Sequence, residues 1–379
     1  MKVLIHALGA DMGGAVRHLT HFLPALANLK SELSPPPQYI ILLRNKLRTH
    51  TKATHIKFFY LPNSVGSFFL LRLLFDNIFL PLYLKLKRIE TVITLTNSGP
   101  LWGIKNHILF QRNALYFSQW YYQQLSFKDK IPYLTRKYYS YLLIKTSKMT
   151  LVPTQAMKES IIQTFPSLAP DIFTVFPHAL ELKQNEANSI PKNLIDLFPK
   201  KTITFLYPSH LAPYKGCDIL LRALGSLKRV HRVQFQCLLT SSLQEWPKGK
   251  ELILNLIQQE QLQDEVKLVG SVSHSVMAYL YKNSDVVVFP SLVESFGFPL
   301  AEALSFEKPV VAANTAVNRE ICQGGALYYS PLNSEAMAQQ LKSVFAPLTR
   351  TKLIQEGKAQ FASRDWSWET YVRQFERLI

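Results

Sequence analysis

The run Asp285-Val286-Val287-Val288-Phe289 is short and rich in β-branched residues, which predicts a buried strand. Pro290 and Ser291 stop that strand. Gly297 then permits a tight turn in which the backbone can approach a ligand closely. Pro299 suits the opening of a helix, where its missing N–H would be an orphan in any case, and Leu300 to Phe306 continue as an apolar helix. A strand that passes through a loop into a helix is the building unit of α/β folds, so this stretch restricts the fold class more than any other. It leaves Glu294 in the loop and Glu302 about one turn into the helix.

A helix N-terminus offers free N–H groups and partial positive charge, and so favours a phosphate or diphosphate. A carboxylate only accepts, and it can take two hydroxyls of a ribose or a sugar at once. A diphosphate flanked by two carboxylates describes a nucleotide sugar. A bare pair of glutamates at this spacing would more simply be one helix cap and one solvated residue. The intervening Ser295-Phe296-Gly297-Phe298-Pro299-Leu300-Ala301 is what makes the pattern specific.

The segment Glu294 to Ala303 resembles the E-x7-E element of the retaining family 4 glycosyltransferases, the glycosyl transferases group 1, which have the GT-B fold. The resemblance implies two Rossmann-like, doubly wound parallel-sheet domains facing a central cleft. The expected division is an acceptor-binding domain over 1–183, a nucleotide-sugar-binding domain over 184–364, and a last helix over 365–379 that crosses back to the first domain. In relatives an Arg and a Lys five apart, followed by Gly, bind the donor diphosphate. Here Lys215-Gly216 match and His210 stands at the Arg position. The Gly270-Ser271-Val272 loop corresponds to one that lies by the nucleobase. Many relatives carry a His-Asp pair after an N-terminal-domain strand, where this chain has Gln111-Arg112-Asn113. Arg112 and Asn113 are therefore candidates for hydrogen bonds to a sugar hydroxyl.

Elsewhere strands and helices alternate. Lys2 to Ala7 reads as a strand that runs into Gly13-Gly14 and a helix from about Ala15 to Ala27, and similar glycine loops in the family line the cleft. Arg44 to Lys57 reads as a basic loop. Residues 67–90 are apolar with basic punctuation at Arg72, Lys85, Lys87 and Arg88. They suit first a pair of core helices, and second a patch that dips side chains into a bilayer, and both can hold at once. Residues 181–200 are polar and read as the linker. The aromatic residues of Tyr116 to Tyr141 suit a helical core, as well as stacking on sugar rings.

The net charge of +17 is unevenly placed. Residues 1–183 hold 22 Lys+Arg and 8 Asp+Glu, giving +14, and the remainder holds 21 and 18, giving +3. Such a basic half implies an anionic surface or substrate. No helix-turn-helix, zinc-finger or RNA-recognition signature is present, so no nucleic-acid partner is expected and an anionic membrane surface is favoured. Three widely spaced cysteines fit a reducing compartment. No run reaches the ~18 apolar residues of a membrane span. The N-terminus is too short and polar for a signal peptide, so a cytoplasmic, membrane-associated location is expected.

The resulting expectation is a retaining glycosyltransferase of the hexosyltransferase type. It would move a sugar from a UDP-, GDP- or other NDP-sugar to a hydroxyl of a glycan or lipid-linked glycan. Glu294 and Lys215 would be catalytic. Glu302, His210, Lys215, Gly297, Phe298, Pro299, Gly270, Gly13, Gly14, Arg112 and Asn113 would line the donor site. With lysine and a helix dipole supplying positive charge, no metal or other cofactor is required. Two alternatives remain: a non-catalytic GT-B partner subunit at the membrane, and a sugar-nucleotide epimerase on the same fold.

Overall fold

In a computed structural model, residues 1–10, 13–180, 190–198 and 202–379 are described. The chain divides into two units, Met1–Glu181 with Trp366–Ile379, and Leu182–Asp365. The first unit contains seven strands: β1 Lys2–His6, β2 Gln38–Arg44, β3 Ile56–Leu61, β4 Thr91–Thr94, β5 Asn106–Phe110, β6 Met149–Val152 and β7 Phe173–Val175. Its helices are α1 Gly13–Asn28, α2 Asn63–Ser67, α3 Phe69–Leu74, α4 Leu80–Lys87, α5 Gln119–Gln124, α6 Phe127–Thr146 and α7 Gln155–Thr164. A π-helical turn, Phe75–Phe79, joins α3 to α4. The second unit opens with α8 Lys192–Ile195 and has six strands: β8 Ile203–Tyr207, β9 Phe235–Leu239, β10 Val266–Leu268, β11 Val286–Phe289, β12 Val310–Ala313 and β13 Ala326–Tyr329. Its other helices are α9 Cys217–His231, α10 Pro247–Gln259, α11 His274–Asn283, α12 Phe298–Ser305, α13 Ala316–Cys322, α14 Ser334–Ser343 and α15 Pro347–Ala362. The last helix, α16 Trp368–Glu376, belongs to the first unit.

Both sheets follow one plan. Their orders are β3-β2-β1-β4-β5-β6-β7 and β10-β9-β8-β11-β12-β13, with every pairing parallel. This is the doubly wound Rossmann order, in which successive crossovers run one way from the first strand and then reverse. The reversal points are β1/β4 and β8/β11. Parallel strands covered on both faces read as continuous apolar runs, and β11 is buried throughout. In β1, Val3 and Ile5 join a core with Leu19, Phe22 and Phe375. The alternate residue Leu4 joins Leu80, Leu84 and Val92 on the opposite face.

α16 is bound to the first unit by the same logic. Tyr371, Val372 and Phe375 are buried, and the Phe375 ring lies 4.9 Å from that of Phe22. Burying each such side chain contributes about 1.5–3 kcal/mol. Glu376 accepts from the Tyr39 hydroxyl at 3.2 Å, and Glu32 pairs with Arg373 and Arg377.

Four expectations need correction. The basic loop expected over 44–57 begins with Arg44, the fully buried last residue of β2, and ends inside the edge strand β3. An edge strand that is only partly buried has no continuous apolar run, and Lys57 masked this one. α15 carried no strong periodicity and was not expected. Within the expected linker 181–200, residues 181–189 and 199–200 lie outside the described residues, and α8 forms one helical turn. Gly13 and Gly14 are the first two residues of α1 rather than of the turn before it.

Candidate active site

The second unit gathers most of the expected residues at the carboxyl edge of its sheet. β8 and β11 pair directly, Val286 against Phe205, yet the chain leaves them in opposite directions. Their following loops must therefore part, and the opening this creates is where open α/β sheets bind ligands. The loop after β8 carries Lys215 and the loop after β11 carries Glu294.

Gly216 locks the first loop in place. It sits in the left-handed region at φ +66 and N-caps α9, and a Cβ there would lie 2.5 Å from the Pro290 carbonyl oxygen. Only glycine allows both the conformation and the approach. The Leu292 N–H donates to the Tyr214 carbonyl at 2.8 Å and ties the loops together. Lys215 is consequently buried, 8 % exposed, and its Nζ donates to Glu294 Oε1 at 2.5 Å. The same ammonium lies 5.2 Å from the centre of the Tyr214 ring and 5.8 Å from that of Phe289. Such aromatic faces attract a cation that has lost water.

Glu294 Oε1 also accepts from the Ser291 hydroxyl at 2.7 Å. Behind it, the fully buried Asn318 donates Nδ2 to the Ser291 carbonyl at 3.3 Å and to the Ala313 carbonyl at 2.9 Å. Asn318 thereby joins the loop after β11 to the end of β12. Neither Ser291 nor Asn318 was singled out by sequence, because their roles depend on which strands are neighbours.

Gly297 adopts φ +81 and N-caps α12, with Phe298 and Pro299 as its first residues. Glu302 projects from the first turns of that helix, and its Oε2 accepts from the Tyr281 hydroxyl at 2.9 Å. Tyr281 is stacked on Phe306 with ring centres 5.3 Å apart. It comes from α11, and no spacing in the sequence marks it as a partner of Glu302. His210 shares a hydrogen bond with the Tyr214 hydroxyl at 3.2 Å. Desolvation and then the Lys215 charge lower its pKa, which favours the neutral imidazole. At Gly270, φ is +80 and a Cβ would face open space. Ser271 beside it donates to Glu245 Oε1 at 2.6 Å, while Glu245 Oε2 accepts from the Leu211 N–H at 3.1 Å. Glu245 thus bridges the loops after β10 and β8, another residue that sequence reasoning missed.

Gly13, Gly14, Arg112 and Asn113 lie in the first unit. Arg112 follows β5, and its Nη2 donates to His18 Nε2 at 3.1 Å and to the Tyr371 hydroxyl at 3.3 Å. His18 is itself 3.0 Å from that hydroxyl. Burial, then the charge of Arg112, hold the His18 pKa well below the ordinary value, so its imidazole is neutral. The Asn113 side chain is occupied as a cap, accepting from the Leu115 N–H at 3.0 Å.

Residues 193–360 match the family model described as glycosyl transferases group 1. That span holds every candidate residue of the second unit, from His210 to Glu302.

Among curated relatives of that type, the O-antigen chain mannosyltransferase RfbU of Salmonella typhimurium is 22 % identical over 216 residues, covering 56 % of each chain. The O-antigen chain mannosyltransferase B of Escherichia coli is 25 % identical over 252 residues, covering 65 % of this chain and 64 % of the relative. The chain thus spans between half and two thirds of the length of these relatives. Solved structures share the GT-B fold over its full length. A sucrose-phosphate synthase from Thermosynechococcus elongatus matches with TM-score 0.74 at 18 % identity, covering 100 % of this chain and 97 % of that one. Anabaena HepE, in complex with UDP and glucose, matches with TM-score 0.71 at 18 % identity over 100 % and 98 %. WaaG, involved in lipopolysaccharide biosynthesis, matches with TM-score 0.71 at 13 % identity over 100 % and 99 %.

Proposed function

We propose that the protein is a retaining glycosyltransferase of cell-surface polysaccharide or lipopolysaccharide type. It transfers a sugar from a nucleoside diphosphate sugar to a hydroxyl of a glycan or lipid-linked glycan. The observation that carries this reading is the buried Lys215–Glu294 pair at the β8/β11 reversal point, beside a helix N-terminus opened by Gly297. The relatives named as O-antigen mannosyltransferases support the acceptor class.

In this reading the bond between the anomeric carbon and the diphosphate breaks, and charge grows on the leaving oxygens. Lys215 donates to them, which is where a fixed cation in a water-poor site lowers the barrier most. The N–H groups opening α12, from Phe298 onward, add partial positive charge. His210 donates a hydrogen bond without adding charge, and no metal is required. Glu294 keeps Oε2 for a hydroxyl of the donor sugar, its Oε1 being occupied by Lys215 and Ser291. Glu302, oriented by Tyr281, accepts from the ribose hydroxyls. The Gly297 and Phe298 backbone lines the sugar pocket and Gly270 lies against the base. We place the protein at a cytoplasmic, anionic membrane surface, because residues 1–183 hold 22 Lys+Arg against 8 Asp+Glu. Among the described residues no helix is long and apolar enough to cross a membrane.

The test is calorimetric titration with UDP-, GDP-, ADP- and dTDP-sugars, comparing the parent with Glu302→Ala. One donor should bind, and bind more weakly to the variant. Failure of every donor at millimolar concentration overturns the enzyme reading. The anomeric configuration of the product, read by NMR, tests retention.

A further inference from the structure

The segment from Phe68 to Leu86 buries its acid and exposes much of its apolar surface. Its one acid, Asp76, is fully buried and pairs with His6 of β1 at 2.8 Å, with both side chains removed from solvent. Asn77 also turns inward, donating to the Leu73 carbonyl at 2.9 Å and accepting from the Leu101 N–H at 3.0 Å. Leu80 and Leu84 pack into the core, but eight other large apolar side chains point outward. Phe68 is 63 % exposed, Leu70 73 %, Phe79 62 % and Leu86 81 %. Leu71, Leu74, Ile78 and Leu82 complete an outward row along α3, the π turn and α4. Scattered exposed leucines need no explanation, but an unbroken outward row does. A polar pair that fastens the segment from beneath shows that this face is not a misplaced core.

The neighbouring α6 repeats the pattern. It touches α3 where Phe69 meets Tyr139, ring centres 5.8 Å apart. On its outer side Phe127, Ile131, Tyr138 and Leu142 are exposed at helical spacing. Basic residues frame both rows. Residues 63–148 hold twelve Lys+Arg and three Asp+Glu. Of those acids Asp76 is buried, Glu90 is paired with Lys105, and Asp129 accepts from Ser126. An apolar face framed by an excess of cations matches the chemistry of an anionic lipid surface.

We propose that the outward row from Phe68 to Leu86, with the adjoining row of α6, docks the first unit on an anionic bilayer. Phe68, Leu70, Leu74, Phe79, Leu82 and Leu86 enter the acyl boundary, while Lys85, Lys87, Arg88 and Lys128 meet lipid phosphates. A second copy of the chain is the less fitting occupant, since pairing the face with itself would oppose lysine to lysine. The proposal names the surface behind the membrane-borne acceptor of the functional reading, yet its assay requires neither donor nor turnover. Failure of one is therefore visible apart from failure of the other.

The experiment is flotation with vesicles of phosphatidylcholine alone and with about a third phosphatidylglycerol, at low and high salt. The full chain should float with the anionic vesicles, less so at high salt, and should not float with the neutral ones. Leu74→Glu with Phe79→Glu, at exposed positions that leave the core intact, should lower the bound fraction at least about tenfold while the thermal melt is unchanged. Absence of flotation with anionic vesicles overturns the proposal, as does equal flotation of parent and variant. A parent dimer that becomes monomeric in the variant, without vesicle binding, assigns the face to a second copy and equally overturns it.

Discussion

Replacing Lys215 by Met tests the site through its stability before any substrate is added. The Lys215 and Glu294 side chains are 10 % and 13 % exposed, so removing the ammonium strands a nearly buried carboxylate. Breaking one side of a fully buried pair costs about 3–5 kcal/mol. The retained bond from Ser291 and the residual exposure lower this to roughly 2–3 kcal/mol for this pair. A domain of this size loses about 2–4 °C of Tm per kcal/mol, so the unfolding transition of the second unit should fall by roughly 4–12 °C. Differential scanning calorimetry reads this directly. In Lys215→Met with Glu294→Gln, where no charge is stranded, most of the loss should be recovered. A Lys215→Met variant as stable as the parent, or a double variant less stable than it, would refute the claim that these groups form one buried pair.

Three further outcomes follow from particular contacts. Gly216→Ala forces a left-handed alanine, costing about 1–2 kcal/mol, and adds a clash with the Pro290 carbonyl; its Tm and donor affinity should both fall, checked by calorimetry. Tyr281→Phe removes a charge-assisted bond to Glu302 worth about 1.5–3 kcal/mol, so the donor KM should rise about tenfold or more with kcat nearly unchanged. Acid should destabilise the first unit before the second. Burial, reinforced by Arg112, lowers the pKa of His18 and His178, and burial with His6 lowers that of His107 to about 4. Because these folded values lie below the unfolded one, the unfolded chain binds more protons as pH falls below about 6.5, and stability drops by up to about 1.4 kcal/mol per pH unit for each histidine. Melting curves between neutral pH and the value for His107 check the slope, which His107→Gln should flatten.

The parallel architecture was legible because apolar runs such as Val286 to Phe289 have no other stable use than a sheet covered on both faces. β3 escaped notice since an edge strand meets solvent on one side and carries Lys57, which breaks the run. α15 escaped it because its few buried positions, Leu353, Gly357 and Gln360, do not make an apolar stripe. At the candidate site, Lys215, Glu294, Gly297 and Glu302 stand out in the sequence through their short-range context, each beside a strand end, a glycine or a helix start. Ser291, Asn318, Glu245 and Tyr281 do not, for each acts on a residue brought near only by sheet order or helix packing.

The amino-acid sequence by itself determined the strand–loop–helix units, the helix openings at Gly216 and Gly297, and the basic bias of the first 183 residues. These are local or additive properties, and a chain carries them before it folds. The tertiary structure alone decided that Lys215 pairs with Glu294, that Tyr281 orients Glu302, and that the segment from Phe68 to Leu86 turns its acid inward and most of its leucines out. Periodicity gives a helix two faces, but it does not say which one meets the sheet. That choice falls to the partners available beneath it, and the buried His6 waiting under Asp76 made it here.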